Sequence, residues 1–472
     1  MKASDFEFTV PVLVVGGGAC GASAALAAHD AGASVLLIER DAVPAGTTGM
    51  SQGLVCAAGT ASQRVHGIED DAETLYRDIL AKTKGQTDPI LARTIAKESG
   101  PTLDWLVTEH DLPWELDLRF KPSYGHSRTR VHGWPGHTGI DMVQLMHARL
   151  ASAQIDVLTE ARLVEIIKDE QGQAVGVTIE RPDSSQEQIG CNALVLAAGG
   201  FASNHSMIAR YMPEASNARC NGHEGNRGET IVSALALGAA VGDMGAYQGY
   251  GMLADPQGIP VPPGFIVEGG VLVNTLGQRF VQEAEDISGM VHAVLAQPNG
   301  MAWVIADADI EQRCTYMLET QELRALGAMR EADTLMELAA CIGVDINHLS
   351  ASLQEAWQSK KSGLSDSLGR DWSQSTPPQG PYRAIKVCGA VFHTQGGLQI
   401  DANARVLQTD GTGIANLFAG GGNARSVSGP SCWGYLPAMG LCTAVTFGRL
   451  AGRSAAEHFL MTTTERNYEF NY

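Results

Sequence analysis

The stretch that most restricts what this chain can fold into lies between Val12 and Arg40. Val12-Leu13-Val14-Val15 is apolar and β-branched, the texture of a strand buried on both faces. Gly16, Gly18 and Gly21 follow in G-x-G-x-x-G spacing, where that strand must pass into a helix. Gly16 allows the tight turn, Gly18 lets a pyrophosphate approach the backbone, and Gly21 lets helix and strand pack closely. The helix N-terminus adds unpaired N–H groups and the positive end of a dipole. An Ala-rich helix from Ala22 to Ala33 is broken at Gly32, and Val35-Leu36-Leu37-Ile38 makes the next strand. Glu39 closes that strand, where an acid can accept a hydrogen bond from a ribose hydroxyl. Strand, glycines, helix and acid in this order predict a dinucleotide fold. They leave NAD and FAD both open.

The remainder of the chain sets the scale. With 472 residues, two domains are expected, and 44% hydrophobic residues with 54 glycines suit a loop-rich α/β protein. A net charge of −19 argues against nucleic acid, which needs a basic footprint. Nine dispersed cysteines without a C-x-x-C pair read as reduced, buried thiols. Met1-Lys2-Ala3-Ser4-Asp5-Phe6-Glu7 has no apolar core of a signal peptide, and no apolar run reaches the ~20 residues of a membrane span. A cytoplasmic protein is expected. Gly46 to Leu54 is small and hydroxyl-bearing, suited to lie against a flat ring. The loop Lys121 to Gly139 gathers Tyr124, His126, Arg128, Arg130, His132 and His137. Its histidines fit no ligand spacing, so no metal is expected. Residues 155–180 alternate as a hairpin with a turn at Gly172, and Ala193 to Phe201 is a buried strand running into glycines. From Met244 the texture changes, with crowded prolines and glycines and then charged helices. Residues 244–383 therefore read as a domain inserted between 1–243 and 384–472. Leu417 to Asn423 again runs a strand into glycines, ahead of a long apolar helix from Pro437 to Ala455.

These pieces, in this order, resemble the fumarate reductase and succinate dehydrogenase flavoprotein superfamily, which includes 3-ketosteroid Δ1-dehydrogenases. The resemblance rests on Val14 to Gly21, Ala197-Ala198-Gly199-Gly200-Phe201, Gly277 to Glu283, His393-Thr394-Gln395-Gly396-Gly397 and Phe447 to Gly452. It implies a Rossmann-like FAD-binding domain of the glutathione-reductase type, interrupted by an α+β capping domain. It also implies hydride transfer to or from flavin N5, with the protein orienting and polarising the substrate. Cofactor contacts are then expected at Gly16, Gly18, Ala19, Gly21, Glu39, Arg40, Thr47, Thr48, Ser51, Gln52, Gly53, Leu163, Ala198, Gly199, Gly200, Asn204, Gly421, Gly422, Asn423 and Leu436.

The departures from the family pattern narrow the chemistry. Thr47 stands where members with covalent FAD carry His, so non-covalent FAD is expected. Fumarate reductases carry a His after the aspartate-methionine pair, and here Tyr250 follows Asp243-Met244. Ile287 replaces an arginine after the R-F-x-x-E motif, and Ser431-Cys432-Trp433-Gly434-Tyr435 replaces another near the final segment. Only His393 of that set is kept. Losing two bidentate carboxylate clamps suits a neutral carbonyl better than a dicarboxylate. The expectation is α,β-desaturation of a ketone, such as an oxocyclohexane carboxylate or a ketosteroid-like compound. Tyr435 and backbone N–H groups from Pro437 to Gly440 would polarise its oxygen, Tyr250 would act as base or contact, and His393 as donor or acid. Tyr124, Arg128, Arg425 and Gly440 are the expected substrate contacts. The partners implied are a small-molecule substrate and an unidentified electron acceptor. The reverse reaction, an enoate reductase of the fumarate type, is the second expectation. A non-catalytic flavoprotein electron carrier is the third.

Overall fold

In the computed structural model, residues 5–469 are described; Met1 to Ser4, part of the expectation about a signal peptide, lie outside them. β1 (Thr9–Val15) is the centre of an eight-stranded sheet. It pairs in parallel with β2 (Val35–Ile38) on one side, Val12 opposite Val35. On the other it pairs in parallel with the strand Gln186–Leu196, Val12 opposite Ala193. Gly413–Ala419 lies beyond that strand, and Asp156–Leu158 lies beyond β2. Val12, Leu13 and Val14 are fully buried, as apolar side chains on both faces of a covered parallel strand must be. The expected hairpin is present as Arg162–Lys168 against Ala174–Glu180.

α1 (Ala19–Asp30) leaves β1 through the glycines and packs on the C-terminal helix Met439–Glu469. The contact is backbone on backbone. A Cβ on Gly448 would come within 2.4 Å of the Cys20 carbonyl oxygen, and one on Gly452 within 2.0 Å of the Ala24 carbonyl oxygen. Glycines four apart on one helix face therefore let the two helices touch. Ala22, Ala24, Ala25 and Ala28 complete the small-residue surface of α1.

A second sheet of six strands has Tyr382–Thr394 as its spine. This strand pairs with Tyr247–Ala254, Met301–Asp307, Met329–Ala332 and Arg219–Cys220. Two apolar clusters build its core, one around Phe265, Met252 and Val304, the other around Trp372, Leu349 and Leu353. The hydrogen-bond ladder of this sheet runs along the spine past residue 383 to Thr394, and Arg219 and Cys220 also belong to the sheet. The spine ends against the first sheet's glycine loop, where Thr394 Oγ1 accepts the Phe201 N–H at 3.2 Å. Among the described residues no helix is long and apolar enough to cross a membrane.

The crowded helix contact yields a stability prediction. Gly452→Val forces the two helices apart and should lower the unfolding free energy in urea by about 1–3 kcal/mol.

Candidate functional site

The two sheets enclose a cavity of about 600 Å³, within the range of small-molecule and cofactor sites. One end is the cradle that the opening glycines make. Gly16, with φ +108°, turns the chain, and a Cβ there would strike the Ala197 carbonyl oxygen at 2.5 Å. Gly18 caps α1 with no side chain of its own to bond the helix's first N–H groups, and a Cβ on it would meet only Thr48, at 3.1 Å. Glu39 accepts the Gly17 N–H at 2.6 Å and the Asp41 N–H at 2.9 Å, so the acid that ends β2 also ties down the loop. Thr48 Oγ1 accepts the Ala19 N–H at 3.1 Å. Thr47 Oγ1 accepts from the side chain of Asn226.

Most of the expected cofactor contacts line this wall: Gly16, Gly18, Ala19, Glu39, Arg40, Thr47, Thr48, Ser51, Gln52, Leu163, Ala198, Gly199, Gly200, Gly421 and Gly422. Five do not, each for a physical reason. Gly21 is spent on helix packing, its Cβ position lying 1.8 Å from the Gly16 carbonyl oxygen. Gly53 turns against Trp134. Asn204 caps the helix His205–Tyr211. Leu436 is buried in the core. Asn423 is also buried, and its Oδ1 accepts the Ala198 N–H at 2.5 Å, so it shapes the glycine loops from behind.

At the other end stand His393 and Tyr435, delivered by different parts of the fold. The spine of the second sheet carries His393, and the turn before the C-terminal helix carries Tyr435. Their rings meet edge to face at 5.8 Å. The Cβ position of Gly440 lies 2.8 Å from His393 Nε2 and 3.3 Å from Tyr435 Oη, so both polar atoms border one small space. Tyr435 Oη accepts the Gly440 N–H at 3.3 Å, which leaves its own proton to be donated. Burial pushes the Tyr435 hydroxyl far above the ordinary tyrosine value and pulls His393 down to about 4, so the pair is neutral at physiological pH. His126 holds the turn in place through a 2.9 Å hydrogen bond to the Pro437 carbonyl oxygen.

Tyr250 and Tyr124 also reach the cavity. The Tyr250 hydroxyl donates to the Val261 carbonyl oxygen at 2.5 Å, and burial raises its pKa well above the ordinary tyrosine value. Its ring stacks on Phe392 and makes an apolar wall with Ile287. The Tyr124 hydroxyl is buried and has no hydrogen-bond partner among the described residues. The cations of the lining are mostly neutralised from within. Arg119 is paired to Asp117, Lys121 and Arg313 to Glu268, and Arg130 to Asp70 and Asp78. Arg425, expected as a substrate contact, lies outside the cavity wall and is paired to Asp88 at 2.9 Å and Asp243 at 2.7 Å. Arg128 lines the wall and donates to the Ser127 carbonyl oxygen. Three further wall residues carry no sequence signal: Tyr316, stacked under the Arg119 guanidinium; Gln248, opposite His393 in the ladder; and Glu319, bonded by Gln52 Nε2 at 2.6 Å.

The cradle fits FAD. A helix N-terminus capped by glycine and a bare glycine backbone suit a pyrophosphate, Glu39 lines the cavity at the end of β2 where an acid suits a ribose hydroxyl, and Thr47 to Gln52 and His393 line the same cavity. Residues 11–441 match the family described as FAD binding domain. A probable fumarate reductase of Shewanella frigidimarina is 29% identical over 454 residues, spanning 96% of this chain and 76% of that protein. A 4-oxocyclohexanecarboxylate 2-dehydrogenase of Sinomonas cyclohexanicum is 25% identical over 542 residues, spanning 95% of this chain and 93% of that one. Among solved structures, the open conformation of a flavocytochrome c3 fumarate reductase superposes with a TM-score of 0.80 at 29% identity, covering 97% of this chain and 80% of that one.

The buried imidazoles give the site a pH signature. His126, His132 and His393 are all pulled from 6.5 down to about 4 by burial. Between those values the unfolded chain binds protons that the folded chain refuses, so stability rises with pH across that window. The melting temperature should therefore drop as pH is lowered from 6.5 toward 4, with little change from this source above 6.5. A flat melting profile there contradicts neutral burial.

Proposed function

The chain belongs to this FAD-binding family and is an FAD-dependent oxidoreductase. On that premise we propose that it reduces a carbon–carbon double bond conjugated to a neutral carbonyl, with a cyclic enone as the best-fitting substrate class. The observation that carries the reading is the convergence of Tyr435 Oη and His393 Nε2 on the space beside Gly440. The two arginines of the family pattern are replaced, and Arg119 in the lining is already paired to Asp117. FAD, when bound, supplies the hydride chemistry. The substrate's carbonyl oxygen takes hydrogen bonds from Tyr435 and His393, which stabilise the negative charge that grows there. With FAD bound, the β-carbon would take the hydride, and the α-carbon would need a proton from the protein. Tyr124 is the donor assigned to that proton, because its hydroxyl is unpartnered and burial keeps it protonated. Tyr250, Phe392 and Ile287 wall the ring carbons away from water.

Desaturation of a ketone, the direction expected from the family departures, is the second reading and uses the same groups in reverse. The relative from Sinomonas cyclohexanicum supports it. Against it stands the resting protonation of the site. Tyr124 and Tyr435 are held as phenols by burial, which favours their acting as donors over acting as a base.

Anaerobic flavin reoxidation separates the readings. Dithionite-reduced enzyme should be reoxidised by cyclohexenone and not by fumarate, and Tyr435→Phe should slow that step about 100-fold. Fast reoxidation by fumarate overturns the neutral-substrate reading. Bleaching of oxidised flavin by cyclohexanone, without any response to the enone, selects desaturation. The FAD itself is proposed to be held without a covalent bond, given Thr47 in place of a linking His. Acid precipitation should then leave all of the flavin in the supernatant.

A further inference from the structure

His393 presents Nε2 to the cavity and Nδ1 to the protein behind it. Behind it stands a buried pair, Gln395 at 4% and Ser428 at 1% exposure. Gln395 is two residues on from His393 along an extended chain, so both side chains leave the backbone on the same side. Ser428 Oγ donates to Gln395 Oε1 at 2.8 Å, and Gln395 Nε2 donates to His393 Nδ1 at 3.0 Å. The Gln395 backbone is clamped as well: its N–H goes to the Ala246 carbonyl oxygen and its own carbonyl oxygen accepts the Ser426 N–H, each at 2.8 Å. The amide thus starts from a fixed point and ends on a fixed partner.

We propose that Gln395, held by Ser428, is a positioning residue that makes His393 a hydrogen-bond donor to the substrate's carbonyl oxygen. A nitrogen that accepts a hydrogen bond carries no proton, so a neutral ring bonded in this way keeps its proton on Nε2. The competing acceptor, the Thr394 carbonyl oxygen, is farther from Nδ1, at 3.4 Å. An amide rather than a carboxylate at this place matters. A carboxylate would draw a proton onto Nδ1 and favour imidazolium, whereas the amide orders the ring and leaves it neutral. A neutral donor can polarise a neutral carbonyl without surrendering its proton. The packed neighbours add no charge: Tyr435 is the titratable group against the ring, and Gln248 and Gly440 are uncharged. This inference rests on the proposed role of His393 as a donor, and its first readout needs no substrate.

Selective ¹⁵N-histidine labelling of the FAD-loaded protein reads the tautomer, with His393→Asn identifying the resonances. The wild type should show a protonated Nε2 and a bare Nδ1. Gln395→Leu should lose that single tautomer and lower kcat toward cyclohexenone about tenfold, with KM changed less. Gln395→Glu should protonate Nδ1 and raise the His393 pKa. Its kcat/KM should then fall as pH rises through that new pKa, where the wild type stays level. Ser428→Ala should act in the same direction as Gln395→Leu, but more weakly. A wild-type ring protonated on Nδ1, or a Gln395→Leu protein with tautomer and kcat unchanged, overturns the proposal. The expected tautomer in an enzyme that reduces no enone would instead sink the substrate reading and leave the positioning role standing.

Discussion

Backbone contact between α1 and the C-terminal helix is the constraint on which the site depends. Gly448 and Gly452 let that helix lie directly on the carbonyls of Cys20 and Ala24. Once the two are locked, the N-termini of both helices line one cavity, the first at Gly18 and the second at Gly440. The first is open for a pyrophosphate, and the second offers its N–H to Tyr435. Larger residues at the crossing would move Tyr435 and Gly440 together, because the turn that carries them has no freedom apart from the helix.

The parts of the fold that were legible in the sequence are those where glycine has a backbone reason. Gly16 needs a positive φ, Gly199 and Gly421 do too, and each lies at the end of a parallel strand, where ligands of such sheets collect. The apolar run of β1 and the change of texture near Met244 were equally plain. Side-chain roles were less so. Arg425 follows a glycine run, as an anchor might, yet its partners Asp88 and Asp243 are far away in sequence and close only after folding. Tyr250 occupies a family histidine's place, but the Val261 carbonyl oxygen claims its hydroxyl. Nothing local distinguishes Tyr316, in the turn between two helices, or the helical Glu319 from its neighbours. Gln395, by contrast, was visible as a residue two positions from His393, though its role required the buried Ser428 behind it.

Electrostatics divides the cavity into zones. Around the mouth, Arg119, Lys121 and Arg313 are held by Asp117 and Glu268, so charge is present but already balanced. Inside, the groups near His393 are uncharged donors, each kept neutral by burial. A carboxylate entering that inner zone would lose water without meeting a free cation, a cost that a neutral carbonyl avoids.

The strand Tyr382–Thr394 is at once the spine of the inserted sheet and the arm that carries His393. Tyr435 belongs to the other body, through the C-terminal helix and the hydrogen bond from Gly440. Any rotation of the inserted sheet as a unit therefore carries the imidazole away from the phenol. The small space that His393 and Tyr435 share beside Gly440 is therefore built from two separate parts of the fold.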